Sequence, residues 1–194
     1  MARFDAQAAE LDATLRTFLA RYETALLGAA AEAADSLARG GKVLFFGNGG
    51  SAAEAQHFAA ELINRMMRDR PALAGIALST DGSSLTSIAN DSSYDRVFAR
   101  QIEALGRAGD VALALSTSGN SPSILRGLEA ARRLDLATVA FLGRDGGKAA
   151  SLADCALIVE SSVTARIQEV HLFAGHLYCE AIEERLYPRG GIAP

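Results

Sequence analysis

The chain has 194 residues, 49% hydrophobic and 22% charged, which suits the full core of one domain and leaves little for a second. Its formal charge is −4, from 19 basic against 23 acidic residues, and the basic side chains are scattered through helical segments rather than clustered with aromatics, which argues against direct nucleic-acid binding. No run approaches the roughly 20 apolar residues of a membrane span, so cytoplasm is the expected location. From about Asp5 to Ala38, Leu11, Leu15, Phe18, Leu19, Tyr22, Leu26 and Leu27 recur at helical spacing in an Ala-rich background and predict one or two long helices. Gly40-Gly41 stops that pattern, and Val43-Leu44-Phe45-Phe46 reads as a first short buried strand.

Four similar apolar runs follow: Gly75 to Leu78, Val111 to Leu115, Ala137 to Leu142 and Ala156 to Val159. Helical patterns lie between them, at Ala52 to Met67, Val97 to Leu105, Ile124 to Leu134 and Arg166 to Leu186. Strands apolar on both faces that alternate with helices predict an α/β fold, a three-layer α/β/α sandwich around a five-stranded parallel sheet. The helical region is expected over 1–39, the α/β core over 40–187 and a loose tail over 188–194. Cys155 and Cys179 lack Cys-x-x-Cys spacing and read as thiols of a reducing compartment rather than as a disulfide or thiolate metal site.

Two stretches follow strand-like runs and precede helices: Gly47-Asn48-Gly49-Gly50-Ser51 and Ser116-Thr117-Ser118-Gly119-Asn120-Ser121. A helix N-terminus offers unpaired N–H groups and partial positive charge, so glycines and hydroxyls there suit an anionic oxygen cluster. In a parallel sheet such loops sit at the carboxyl ends of the strands, where ligands bind, above all where strand order reverses. The first loop also matches the looser dinucleotide fingerprint Gly-x-Gly-x-x-Ala, but the next acidic residue at a strand end, Asp81, comes too late to hold a ribose, and neither loop carries a Walker lysine. Either loop alone reads equally as a turn with a helix cap. The second places four hydroxyls within six residues before Pro122, more than capping uses, and a sugar phosphate fits the surplus better than a nucleotide.

His57 and Glu61, four apart on one helix face, make either a surface ion pair or an imidazole–carboxylate pair suited to proton transfer or metal binding. The other two histidines, His171 and His176, lie in the last helical segment near Gln168 and Glu169.

Taken in order, Gly-Asn-Gly-Gly-Ser, Gln56-His57-Phe58-Ala59-Ala60-Glu61-Leu62, Ala89-Asn90-Asp91, Ser-Thr-Ser-Gly-Asn-Ser, Gly143-Arg144-Asp145-Gly146-Gly147 and Ala165-Arg166-Ile167-Gln168-Glu169-Val170-His171 resemble the sugar isomerase (SIS) domain family, in particular its phosphoheptose isomerases, across almost the whole chain. The resemblance implies an aldose–ketose isomerase that converts D-sedoheptulose 7-phosphate to D-glycero-D-manno-heptose 7-phosphate through an enediol, toward lipopolysaccharide or a related surface glycan, in a homotetramer built partly through the N-terminal helical region. On matching positions it implies that Ser51, Ser116, Thr117, Ser118 and Ser121 hold the phosphate, that Asn48, Gly49, Gly50, Asn90 and Asp91 contact the sugar chain together with Glu61 and Gln168, and that Glu61 and His176 form the acid/base pair. It also implies zinc, one per site, on His57, Glu61, Gln168 and His176, and no nucleotide cofactor. Arg65 matches a family arginine near the site and reads equally as a solvated helix charge; His171 reads as a packing or supporting histidine.

Gln168 and His176 are eight residues apart, roughly 12 Å along an unbroken helix. That is far for two ligands of one ion, so the active sites are expected at subunit interfaces. The alternative within the same fold is a non-catalytic SIS protein that binds the replication initiator, which the chain resembles around Ala59-Ala60 and Ile63-Asn64-Arg65; that group lacks the counterparts of Glu61 and His176. A sugar-phosphate sensor of transcription is a weaker fit, with no helix-turn-helix segment beside the domain. Ala165 stands where some isomerases carry an acidic residue.

Overall fold

Alanine and leucine carry the first 37 residues of the fold through one continuous helix, α1 (Ala2–Ala38), rather than two. The computed structural model describes residues 2–188, and the tail expected over 188–194 lies, past Pro188, outside the described residues. Next come β1 (Val43–Gly47), α2 (Gly50–Ile63), β2 (Gly75–Ala77), α3 (Gly82–Asp91), a 3-10 turn at Tyr94–Arg96, α4 (Val97–Leu105), β3 (Val111–Ser116), α5 (Pro122–Arg133), β4 (Ala137–Gly143), a second 3-10 turn at Lys148–Ser151, β5 (Cys155–Val159) and α6 (Thr164–Leu186). The five strands are parallel in the order β2-β1-β3-β4-β5. All five expected strands are present. Among the described helices, none is long and apolar enough to cross a membrane.

The pleat sorts each strand between two cores. Val43 and Phe45 join Phe18, Leu26, Phe58, Ile167, Val170 and Tyr178 under α1, α2 and α6, while Leu44 and Phe46 join Phe98, Ile102, Ile124 and Leu128 under α4 and α5. These are the predicted three layers, with α1, α2 and α6 on one face. Strand order reverses between β1 and β3, which pair from Val43 with Val111 to Gly47 with Leu115, so the two glycine–hydroxyl loops leave neighbouring strand ends at the topological switch point.

Two boundaries depart from the sequence reading. Helix α3 was not expected, because none of its residues is fully buried and only Leu85, Ile88 and Ala89 pack on the core. Its start is fixed by Asp81, whose carboxylate caps the helix by accepting from the Ser83 and Ser84 N–H groups. Helix α2 stops at Ile63 instead of running to Met67. Glu183 of α6 accepts from the Met66, Met67 and Arg68 N–H groups, and Arg70 donates to the Glu61 and Leu62 carbonyls and to Glu183 at 2.9 Å. The chain after Ile63 is therefore bonded to α6 and to the last carbonyls of α2 rather than continuing the helix, and Arg65 stands beyond the helix end.

The Arg70–Glu183 side chains are 1% and 0% exposed. Burial pushes the Glu183 carboxyl up, but the Met67 and Met66 N–H groups and the Arg70 guanidinium outweigh it and hold it below the ordinary range. Arg70→Met leaves a buried carboxylate without its counter-charge and is expected to cost about 3–5 kcal/mol of unfolding free energy, measured by urea titration; a loss under about 1 kcal/mol would mean that the backbone donors alone sustain Glu183.

Candidate active site

Helices α2 and α6 leave the same end of the sheet and run side by side. Near their starts, a methyl placed on Gly50 would lie 2.2 Å from Gln168 Nε2; further along, one on Gly175 would lie 1.9 Å from the Phe58 ring. Without a side chain at Gly175 the buried Phe58 ring lies directly against the α6 backbone, and the next residues on each helix meet: His57 Nε2 is 2.7 Å from His176 Nε2. His57 Nε2 is also 3.5 Å from Glu61 Oε1. One donor atom from each of His57, Glu61 and His176 falls within 4.8 Å of the others, a grouping that two imidazoles and a carboxylate make suitable for zinc. The His–Glu spacing on α2 was legible in the sequence; the arrival of His176 is a product of packing. Gln168 sits against Gly50, about 12 Å up α6 from His176, and so apart from this trio within one chain.

At the other end of α2, Gly49 takes φ 58° and ψ −121°, which glycine accepts readily, and turns β1 into the helix. Ser51 is buried there. In the second loop the Ser116 hydroxyl accepts from the Gly119 N–H at 3.0 Å and Ser118 from the Asn120 N–H at 3.3 Å, so two of the four hydroxyls shape the loop while keeping their own hydrogens to donate. Ser121 begins α5 without a side-chain cap, and Pro122 opens the helix as expected. Gly119, at φ +61°, lies where a Cβ would be 1.9 Å from the Gly146 carbonyl. The Gly143–Gly147 segment thus braces the hydroxyl loop from behind, with Asn120 accepting from the Lys148 N–H and donating to the Ser118 carbonyl. Asn48 joins the loops by donating to Ser121 and Ser123. Asn90 and Asp91 end α3, exposed and bonded to each other at 2.8 Å; Arg65 is exposed and makes no ion pair among the described residues.

Several participants escaped the sequence reading. Asn120 lies in the motif yet gives no sign of its distant partner. Tyr94, which bonds Asn48, is 46 residues away in sequence. Glu54, on the α2 turn after Ser51, is 8% exposed with Oε2 unpartnered among the described residues. His171 is fully buried and bonds the Leu142 carbonyl through Nε2, which matches the packing alternative of the two roles expected of it.

A SIS domain family model matches residues 8–143. The chain belongs to the SIS domain family. It is 60% identical over 149 residues to a phosphoheptose isomerase of Paramagnetospirillum magneticum, covering 77% of this chain and 78% of that one. The solved phosphoheptose isomerase of Neisseria gonorrhoeae superposes with a TM-score of 0.88 at 42% identity, over 94% of this chain and 98% of its own. That of Francisella tularensis superposes at 0.88 and 32% identity, over 94% and 97%. The SIS architecture expected from the motifs is thus present from α1 to α6.

Gly175→Ala must push Phe58 and the two helices apart, at a cost of about 1–3 kcal/mol in a thermal or urea unfolding series. The loss is expected to shrink when Phe58→Leu is made in the same chain; an additive pair would mean that the ring and Gly175 are not in contact.

Two buried groups oppose each other in pH dependence. Burial pushes the Glu54 carboxyl up to about 7, the Ser51 hydroxyl offsetting only part of that. The folded state therefore holds a proton that the unfolded chain releases, and this contribution to stability falls as pH rises from 4.5 to 7. Burial pushes His171 down to about 4, the Leu142 carbonyl pulling the other way, so its contribution rises as pH rises from 4 toward 6.5. Glu54→Gln removes the first of these slopes: its unfolding free energy relative to the parent is expected to climb by about 3 kcal/mol between pH 4.5 and 7 in urea titrations. A flat difference would mean that Glu54 ionises in its ordinary range.

Proposed function

We propose that this chain is a phosphoheptose isomerase, converting D-sedoheptulose 7-phosphate to D-glycero-D-manno-heptose 7-phosphate, a heptose precursor of a surface glycan. The observation that carries the reading is the meeting of Glu61 and His176 on a helix pair whose upper end abuts two glycine–hydroxyl loops. Identity of 60% to a curated phosphoheptose isomerase supports it. Ser51, Ser116, Thr117, Ser118 and Ser121 hold the phosphate, and Asn48, Gly49, Gly50, Asn90, Asp91, Arg65 and Gln168 line the path of the sugar chain. With the ketose ring open, one of Glu61 and His176 removes a proton from C1 while the other protonates the C2 carbonyl oxygen, giving the enediol. Return of a proton to C2 and loss of the O1 proton complete the aldose. Phosphate binding far from C1 and C2 supplies energy that fixes their position.

The two imidazoles and the carboxylate fit a zinc ion held by His57, Glu61 and His176, with Gln168 as the fourth ligand. When bound, zinc polarises a substrate oxygen. Because Gln168 stands against Gly50 in its own chain, the glutamine that completes each set comes from a neighbouring copy, in a homotetramer with sites at its interfaces. Exposed Leu172 and Phe173 beside His176, with Ile63 at the end of α2 and Met67 past it, give that contact an apolar surface. Unpaired Cys155 and Cys179 fit a reducing cytoplasm. The initiator-binding reading loses ground because a scaffold needs no converging acid/base pair.

Purified protein incubated with sedoheptulose 7-phosphate is expected to form the aldose by NMR, with Glu61→Gln and His176→Ala each lowering turnover by about 10²–10⁴-fold. Chelation should lower turnover and zinc restore it, and sedimentation should give four chains per particle. No turnover, with tight binding to a replication initiator instead, would overturn the proposal.

A further inference from the structure

Tyr94 lies in the 3-10 turn after α3, outside every motif, and is 54% exposed. Its hydroxyl is 2.8 Å from Asn48 Oδ1. Asn48 Nδ2 in turn lies 3.0 Å from Ser121 Oγ and 2.9 Å from Ser123 Oγ, and those two hydroxyls are 3.2 Å apart. One amide thereby ties the first loop to the second.

The direction of this chain of hydrogen bonds matters more than its existence. When Tyr94 donates to Asn48 Oδ1, the amide N–H groups point at both serines, whose oxygens accept; with Ser123 donating to Ser121 across their 3.2 Å contact, the Ser121 hydrogen remains free. In the reverse direction the amide is flipped, both serine hydrogens are committed to Asn48 Oδ1, and the serines turn only lone pairs toward an incoming anion. Hydroxyl and amide orientations of this kind are decided by the network. A phenol is more acidic than an aliphatic alcohol and favours the donor role, which biases the amide to the first direction.

We propose that Tyr94 is a positioning residue of the phosphate site: by donating to Asn48 Oδ1 it orients the amide so that Ser121 presents its hydroxyl hydrogen to the substrate phosphate. This deepens the isomerase reading and rests on it. Tyr94 does not touch the reacting carbons, so its loss acts on phosphate binding, not on proton transfer.

The test uses inorganic phosphate as the probe, by calorimetry on the full chain, alongside steady-state kinetics with sedoheptulose 7-phosphate. Tyr94→Phe keeps the ring and removes only the donor. It is expected to weaken phosphate binding and raise KM by a similar factor, about five- to tenfold, with kcat within twofold and the melting temperature unchanged. Ser123→Ala removes one partner of the same amide, so the double variant is expected to bind phosphate no more than about twofold more weakly than the worse single variant. Unchanged phosphate affinity in Tyr94→Phe overturns the proposal, as does a raised KM with phosphate affinity unchanged, which would mean direct contact with the sugar chain. Effects of the two substitutions that multiply also overturn it, as does parent protein that binds no phosphate. A parent that binds phosphate and responds to Tyr94→Phe without any turnover would sink the isomerase reading while leaving the role of Tyr94 standing.

Discussion

Everything at the candidate site depends on how closely α2 and α6 approach. The contact is between an aromatic ring and bare backbone, Phe58 on Gly175, and it fixes both the separation and the relative sliding of the helices. Sliding is what brings His57 opposite His176 and Gln168 opposite Gly50, since the side chains of each helix recur on a fixed rise. At the far end the buried Arg70–Glu183 pair, with three backbone donors, anchors the chain leaving α2 onto the last turns of α6. A ring packed at one level and a charge pair at another define the register more tightly than a uniform apolar seam, which tolerates small shifts with little change in buried area.

The sheet contributes a second constraint. With β1 and β3 adjacent and their following connections diverging, two helix N-termini open beside the crevice that such a reversal of strand order leaves. The loops are not slack. Gly119 is pressed on the Gly146 carbonyl, Asn120 reaches the Lys148 N–H, and Asn48 spans the gap to Ser121 and Ser123, so the hydroxyls are held before any ligand arrives.

The strands were legible because a parallel sheet buried on both faces leaves short unbroken apolar runs, as Val43–Phe46 and Val111–Leu115 do. The loops were legible as a pair, because two of them follow strands and the second carries more hydroxyls than capping uses, and His57 with Glu61 because a helix puts residues four apart together. The remainder depends on partners remote in sequence. The apolar pattern through Ile63, Met66 and Met67 reads as helix, and nothing local reveals that Glu183, more than a hundred residues on, takes the backbone N–H groups there. Helix α3 gave little signal because so little of it is buried, even though Asp81 carries its cap. Tyr94, Glu54 and the Phe58–Gly175 contact become visible only when the layers are assembled.

Neither loop contains a lysine or an arginine. An anion that enters this crevice meets oriented dipoles, whose pull fades over a few ångströms, in a molecule whose overall charge of −4 repels it from afar. In the proposed isomerase such a grip would draw little in from long range and would be little affected by ionic strength, because screening acts on distant charges more than on hydrogen bonds in contact. A ligand that has changed shape is then free to leave without first breaking an ion pair.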